Sequence, residues 1–306
     1  MASTSHRLAG GELTAGDRPA PARRRPRPPS PAREALARAA PGSHAPAPSD
    51  AELDRSPYLV RRLLERHDEN LFNHVKFSLV KEEIDRLGLE RPRVLDVGCG
   101  PQVAETYLHK LGLDMRYFGI DYEPRFGPDA VVDLAEADRV GEALPWAPDV
   151  VLALDVLEHL HEDEAALRET VGKLAAVTPP GATLIVTLPQ MYRLDRFKPA
   201  HLHYPEHKIR LTRQEWRAVL EHGFDVRGER GVGYLSVLPY LTMASRRYRP
   251  DNALGRLFAH LRETTFEWAP LKPADLALSR ALGTLAPFRG LSNDVLFVAS
   301  PRPEVP

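Results

Sequence analysis

One cysteine, Cys99, occurs in 306 residues, so no internal disulfide framework can hold this chain together. No stretch approaches the roughly 18 uninterrupted apolar residues of a membrane-spanning helix. A formal net charge of -1 offers no general attraction to nucleic acid or to an anionic bilayer. The chain must therefore be held by its core, and a hydrophobic content of 43% is enough for one large domain or two small ones.

Residues 1–50 have almost no large apolar side chains and are crowded with Pro, Ala and Arg, as in Arg23-Arg24-Arg25-Pro26-Arg27-Pro28-Pro29. Such a segment cannot bury enough surface to fold and is expected to be a disordered tail. No apolar helical face accompanies the arginines, so a solvated tail is favoured over a transit peptide or a nucleic-acid arm. From residue 56 to residue 87 the pattern turns helical. Leu59, Leu63, Leu64, Phe72, Val75, Phe77, Leu79, Val80 and Ile84 recur at mixed three- and four-residue steps, and Ser56-Pro57 is a good helix start.

The most informative run is Arg93-Val94-Leu95-Asp96-Val97-Gly98-Cys99-Gly100. Its apolar residues suit a buried parallel strand, and Gly98 and Gly100 supply a turn in which a ligand can approach the main chain. A helix from about Val103 to Leu111 is expected to follow, as in a βαβ unit. One unit later, Tyr117-Phe118-Gly119-Ile120-Asp121-Tyr122 ends a second strand in a carboxylate that sits beside the first loop and can accept both hydroxyls of a ribose. A dinucleotide fingerprint would want a small residue at 103, where Val103 stands, which argues against a nicotinamide oxidoreductase. Cys99 reads as the small apolar residue this turn needs, not as a nucleophile.

Asp96-x-Gly98-x-Gly100 resembles motif I of the class I S-adenosylmethionine-dependent methyltransferases, with Gln102 where that family often has a third glycine. The resemblance continues in order. Val131-Val132-Asp133-Leu134 is similar to the end of the family's third strand. Asp149-Val150-Val151-Leu152-Ala153-Leu154-Asp155-Val156-Leu157-Glu158-His159-Leu160 is similar to motif IV and the helix behind it. Residues 180–189 match the turn and fifth strand, 211–224 the next helix and the start of the sixth strand, and 293–299 the last strand.

The resemblance implies an α/β fold: a Rossmann-like, doubly wound, seven-stranded and mostly parallel sheet with a last antiparallel strand. Leading helices would cover the cofactor, and a helical insert at about residues 234–290 would separate the last two strands. Residues 51–306 are then one methyltransferase domain. The insert opens with an apolar, aromatic run at 233–243 followed by Arg246, Arg247 and Arg249. It is read as a lid, with a surface for a greasy acceptor or a bilayer face as the alternative, and in either case as the seat of substrate specificity.

The resemblance also implies S-adenosylmethionine as cofactor. The backbone at Gly98 and Gly100 would hold it, with Asp96 on the loop and the methionine ammonium side, and Asp121 on the ribose. Asp133 and Leu134 would meet adenine, and Tyr122 and Leu154 would flank the purine and the methionine stem. Methyl transfer is an in-line displacement that needs alignment and exclusion of water, and an oxygen nucleophile needs a base. His159, His207 and His203 are the candidates, because histidine titrates near neutrality. Three histidines at 201, 203 and 207 suggest a metal, but the favoured expectation is no metal, with these rings bonded to backbone or substrate.

A small-molecule or lipid-like acceptor is expected, with no nucleic acid and a cytoplasmic location. Two alternatives stand beside this reading. Asp155, Glu158, His159 and His207 resemble the metal ligands of the small-RNA 3′-end 2′-O-methyltransferases, although that family has Glu where Asp155 stands. A non-catalytic cofactor-binding protein would keep the fold but lose the acidic anchors, and Asp96, Asp121 and Asp133 are all present.

Overall fold

The strand β1 (Arg93–Val97) is buried from Val94 onward, and β4 (Val150–Leu154) is apolar and buried at every position. Parallel strands covered on both faces must offer an apolar side chain to each face. In the computed structural model, which describes residues 71–134, 136–191, 207–236 and 270–302, these two strands lie side by side with Val94 opposite Val150. The remaining strands are β2 (Arg116–Asp121), β3 (Ala130–Val131), β5 (Thr183–Pro189), β6 (Phe224–Val232) and β7 (Asp294–Pro301). They form one seven-stranded sheet in the order β3-β2-β1-β4-β5-β7-β6, with β7 antiparallel to both neighbours. The expected sheet is thus present, and the helices between its last two strands are also found.

Chain order reverses between β1 and β4, so a crevice opens where their carboxyl ends part. Helices pack on both faces: α1 (Leu71–Asp85), α2 (Val103–Lys110), α3 (Ala137–Ala143), α4 (Glu164–Val177), α5 (Arg213–Leu220), α6 (Leu271–Leu282) and α7 (Ala286–Arg289). Strand alternation sorts the core into two. Val94, Leu152, Ile185 and Leu296 meet α1 and α2 through Val75, Leu79, Val103 and Leu108. Leu95, Val151, Leu184 and Phe297 meet α4 and α5 through Leu167, Val171, Trp216 and Val219 on the other face.

Polar groups pin the edges of this arrangement. Arg230 of β6 reaches Glu82 at 3.0 Å and Glu83 at 3.4 Å on α1, and Arg280 of α6 reaches Glu82 at 2.7 Å. Asp275 on α6 is fully buried and accepts the main-chain N–H groups of Tyr234 at 2.6 Å, Leu235 at 2.8 Å and Ser236 at 3.1 Å. The start of the insert is therefore clasped to α6 within it. Its remaining residues 237–269, the leading stretch 56–70 and the tail at 1–50 lie outside the described residues.

At the opposite end of the sheet, Asp149 accepts from Arg93 through the main-chain N at 2.8 Å, Nε at 3.0 Å and Nη2 at 2.6 Å. The guanidinium donating to it holds the Asp149 carboxyl below its ordinary value. A carboxylate shifted down stabilises the fold above its unfolded value and loses that contribution as pH falls through the folded one. Asp149→Asn is expected to lower the urea midpoint at pH 7, and the difference from wild type should close as pH drops below 3.8. A difference that persisted in acid would assign the effect to packing.

Candidate functional site

The loop after β1 folds over the end of β2. The N–H groups of Gly98 and Cys99 both donate to the carbonyl of Ile120, at 2.8 and 3.0 Å, and the Gly100 N–H donates to Asp121 Oδ2 at 2.9 Å. Asp121 Oδ1 accepts from the Glu123 N–H at 2.9 Å. Its buried carboxylate thus shapes both its own turn and the glycine loop. Gly98 has a φ of +70°, and a Cβ built there would lie 2.6 Å from Val156 Cγ2. Gln102 holds a φ of +55°, so the place where the resembled family often has glycine is a left-handed one. Its amide donates to the Gly127 carbonyl at 3.2 Å, an anchor that glycine would lack.

Gly98, Gly100, Asp121, Tyr122, Asp133 and Leu134 all line one cleft of about 490 Å³ at the switch point between β1 and β4. Leu134 is buried, whereas Asp133 and Tyr122 are exposed at the rim. Asp96 and Leu154 are not among the residues that line it. Asp96 Oδ2 accepts from the Tyr117 hydroxyl at 2.6 Å, and Leu154 packs in the core layer shared with α1 and α2. Cys99 is buried against Gly119, where an added Cβ would lie 2.9 Å from its Sγ. Burial, followed by the charges of Asp96, Asp121 and Asp129, drives the thiol far above its usual range, so no thiolate nucleophile forms there.

The chain leaving β4 supplies more of the cleft's lining, with Val156 against Gly98. Asp155 takes a φ of +56°, and its carboxylate accepts from Lys76 Nζ at 2.6 Å and from the Thr187 hydroxyl at 2.7 Å. Lys76 comes from α1, with a side chain only 6% exposed, and lies about 5 Å from the ring centres of Phe72 and Phe77. Asp294 at the start of β7 is buried, and burial followed by the charge of Asp155 holds its carboxyl well above the ordinary range. Lys76, Thr187 and Asp294 escaped the sequence reading. The available signal was a lysine set between Val75 and Phe77 in an otherwise apolar helical stretch.

Beyond Asp155 the chain makes a short 3-10 turn, Leu157–His159, where an α-helix was expected. The α-helix begins only at Glu164, because Asp163 caps it by accepting from the Ala166 N–H at 3.0 Å. The Glu158 carbonyl accepts from Lys208 N at 2.8 Å and Ile209 N at 3.3 Å, which brings the 207–209 segment onto the turn. His159 and His207 then face each other with ring centres 4.9 Å apart. Glu158 Oε1 lies 3.8 Å from His159 Nε2 and 4.0 Å from His207 Nε2. His159 lines the cleft, together with His161 and Lys208, which had not been anticipated. His201 and His203 lie outside the described residues.

Residues 71–227 match the profile of a family described as a methyltransferase domain. A ubiquinone biosynthesis O-methyltransferase of Azorhizobium caulinodans is 32% identical over 142 residues, which cover 42% of this chain and 49% of that protein. The chain thus matches about half the length of this curated relative. Solved structures with similarity include a methyltransferase from Archaeoglobus fulgidus, at 20% identity and a TM-score of 0.42 over 74% of this chain and 94% of that one. Another is the N-methyltransferase NodS of Bradyrhizobium japonicum, at 14% identity and a TM-score of 0.45 over 59% and 91%. No helix among the described residues is long and apolar enough to cross a membrane. The profile match spans more than half of the 306 residues and falls on the strands that build the cleft, and the chain belongs to the class I S-adenosylmethionine-dependent methyltransferases.

Proposed function

We propose that this protein transfers a methyl group from S-adenosylmethionine to a small-molecule acceptor. The observation that carries this reading is that one cleft is lined both by Gly98, Gly100, Asp121 and Leu134 and by Asp155 and His159. When bound, the sulfonium supplies an activated methyl carbon to be displaced in line. The backbone at Gly98 and Gly100 approaches the methionine part, and Asp96 holds that loop through Tyr117. Asp121 accepts the ribose hydroxyls with the lone pairs its two N–H contacts leave, charge-assisted and sheltered from water. Asp133 and Leu134 meet adenine, Tyr122 covers it from the rim, and Leu154 packs from beneath. His159 and His207 orient the acceptor and take its proton, and His203 is retained as a further candidate. The relative named for O-methylation in ubiquinone biosynthesis supports oxygen as the acceptor atom. The proposal extends to a single methyltransferase domain over residues 51–306 behind a tail at 1–50, acting in the cytoplasm.

The test is methyl transfer by the full chain from labelled cofactor to a panel of phenols and amines, with a short RNA as the competing acceptor. Label in a small molecule supports the proposal, and label in RNA alone overturns it. His207→Ala is expected to lower turnover on the order of 100-fold while S-adenosylhomocysteine affinity stays within a few-fold. Parallel loss of both would assign His207 to the fold.

A further inference from the structure

We infer that Asp155, held in place by Lys76 and Thr187, is the carboxylate that meets the ammonium group at the methionine end of the cofactor. The assignment rests on the methyltransferase reading. Asp96, expected on that side, accepts from the Tyr117 hydroxyl at 2.6 Å and is not among the residues that line the cleft. The acidic residues that do line it are Asp121, Asp133 and Asp155. With Asp121 placed on the ribose and Asp133 at adenine, Asp155 is the carboxylate that remains for a cation.

Its position in the fold suits that end of the ligand. β1 and β4 run side by side with Asp96 opposite Leu152, so Gly98 and Asp155 lie where the two strands give way to their loops. Val156 packs on the first of these loops, and a Cβ added to Gly98 would lie 2.6 Å from Val156 Cγ2. Asp155 is therefore one residue from a direct contact with the glycine to which the methionine part is assigned.

Within the ion pair, the anion faces the ligand and the cation does not. Lys76 Nζ lies 2.6 Å from Asp155 Oδ2, yet the lysine side chain is 6% exposed and that of Asp155 22%. Asp155 lines the cleft, whereas neither Lys76 nor Thr187 does. The Thr187 hydroxyl donates to Asp155 Oδ1 at 2.7 Å, and the Asp155 N–H donates to the Thr187 carbonyl at 3.0 Å. The carboxylate is thus fixed before a ligand arrives, and binding costs it little side-chain freedom.

The backbone bears the same mark. Asp155 holds a φ of +56°, and the other non-glycine residue with positive φ among the described residues is Gln102, in the loop after β1. Left-handed backbone is costly for a residue with a side chain, persists where its surroundings over-determine it, and gathers at ligand sites. A carboxylate held in this way attracts an ammonium and repels the ligand's own carboxylate, so it sets which way round the amino-acid end lies. Lys76 acts as a positioning residue, since it reaches the ligand only through Asp155.

The experiment is calorimetric titration of the full chain with S-adenosylhomocysteine and with its analogue that lacks the amino group. The wild-type chain is expected to bind the analogue about 30-fold more weakly, the worth of one charge-assisted hydrogen bond. Asp155→Asn should bind S-adenosylhomocysteine about 30-fold more weakly than wild type and the analogue within about threefold, so that the two ligands become equivalent. Lys76→Met combined with Asp155→Asn removes the pair as a unit and should show the same selective loss. That second protein separates the lost contact from the effect of a lysine left buried without its partner. Analogue affinity close to that of wild type shows in each case that the fold is intact. Equal weakening of both ligands, or a preference for the amino group that survives in Asp155→Asn, overturns the assignment alone. No S-adenosylhomocysteine binding by the wild-type chain overturns the methyltransferase reading, and this assignment with it.

Discussion

Asp121→Ala is expected to weaken S-adenosylhomocysteine binding about a thousandfold, on the order of 4 kcal/mol. Two losses combine. The first is the pair of charge-assisted hydrogen bonds to the ribose, each worth roughly 1.5–3 kcal/mol. The second is internal, because Asp121 also accepts from the Gly100 and Glu123 N–H groups at 2.9 Å each. Truncation strands those donors and frees the turn that presents Gly98 and Gly100. Asp121→Asn keeps an oxygen for one of the two and should lose less affinity than the alanine. Calorimetry on both variants, with circular dichroism to confirm folding, decides the matter: affinity in the alanine variant within tenfold of wild type would remove Asp121 from the ribose.

Lys76→Met should destabilise the protein by about 3 kcal/mol, the lower end of the range for breaking a buried ion pair from one side. Methionine preserves the stem that lies over Phe72 and Phe77, so the loss reports the charge. Without the ammonium group, Asp155 loses its ion pair and Asp294 loses a nearby positive charge. The lower end applies because the Asp155 side chain is 22% exposed, and water relieves part of the cost. Adding Asp155→Asn to Lys76→Met should restore part of the stability, since it removes a charge that has lost its partner. Urea midpoints of the two single variants and the double one measure the coupling. A Lys76→Met protein within 1 kcal/mol of wild type would mean that the remaining groups redistribute their protons at little cost.

The central strands and their loop were legible because their causes are local. Val94 to Gly100 shows its apolar run, its acid and its turn within a few residues, and Asp121 repeats the arrangement one unit later. The cluster around Asp155 was not, because Lys76 and Asp155 stand 79 positions apart and no period in either segment announces the other. His159 and His207 were both noticed, yet their meeting depends on main-chain hydrogen bonds from Lys208 and Ile209 to the Glu158 carbonyl, which residue types do not encode. Side-chain direction is the other limit. Asp96 reads from its place in the motif as a residue of the loop and the methionine ammonium side, and its bond from the Tyr117 hydroxyl was not legible, because it depends on the β1 and β2 registers that set Asp96 beside Gly119, two residues from that tyrosine. The 3-10 turn was within reach of the sequence, since Asp163 is a good cap and marks where the α-helix begins.

The clasp at Asp275 has a consequence for how this enzyme can diversify. One carboxylate gathers the three main-chain donors of residues 234–236 onto α6, so these two points of the chain are joined by contacts of the described residues themselves. Doubling the length of a segment closed in this way costs only about 0.6 kcal/mol in chain entropy. A change in the length of chain between these two points is then expected to cost little in closure entropy, while the clasp and the cleft keep the contacts described above.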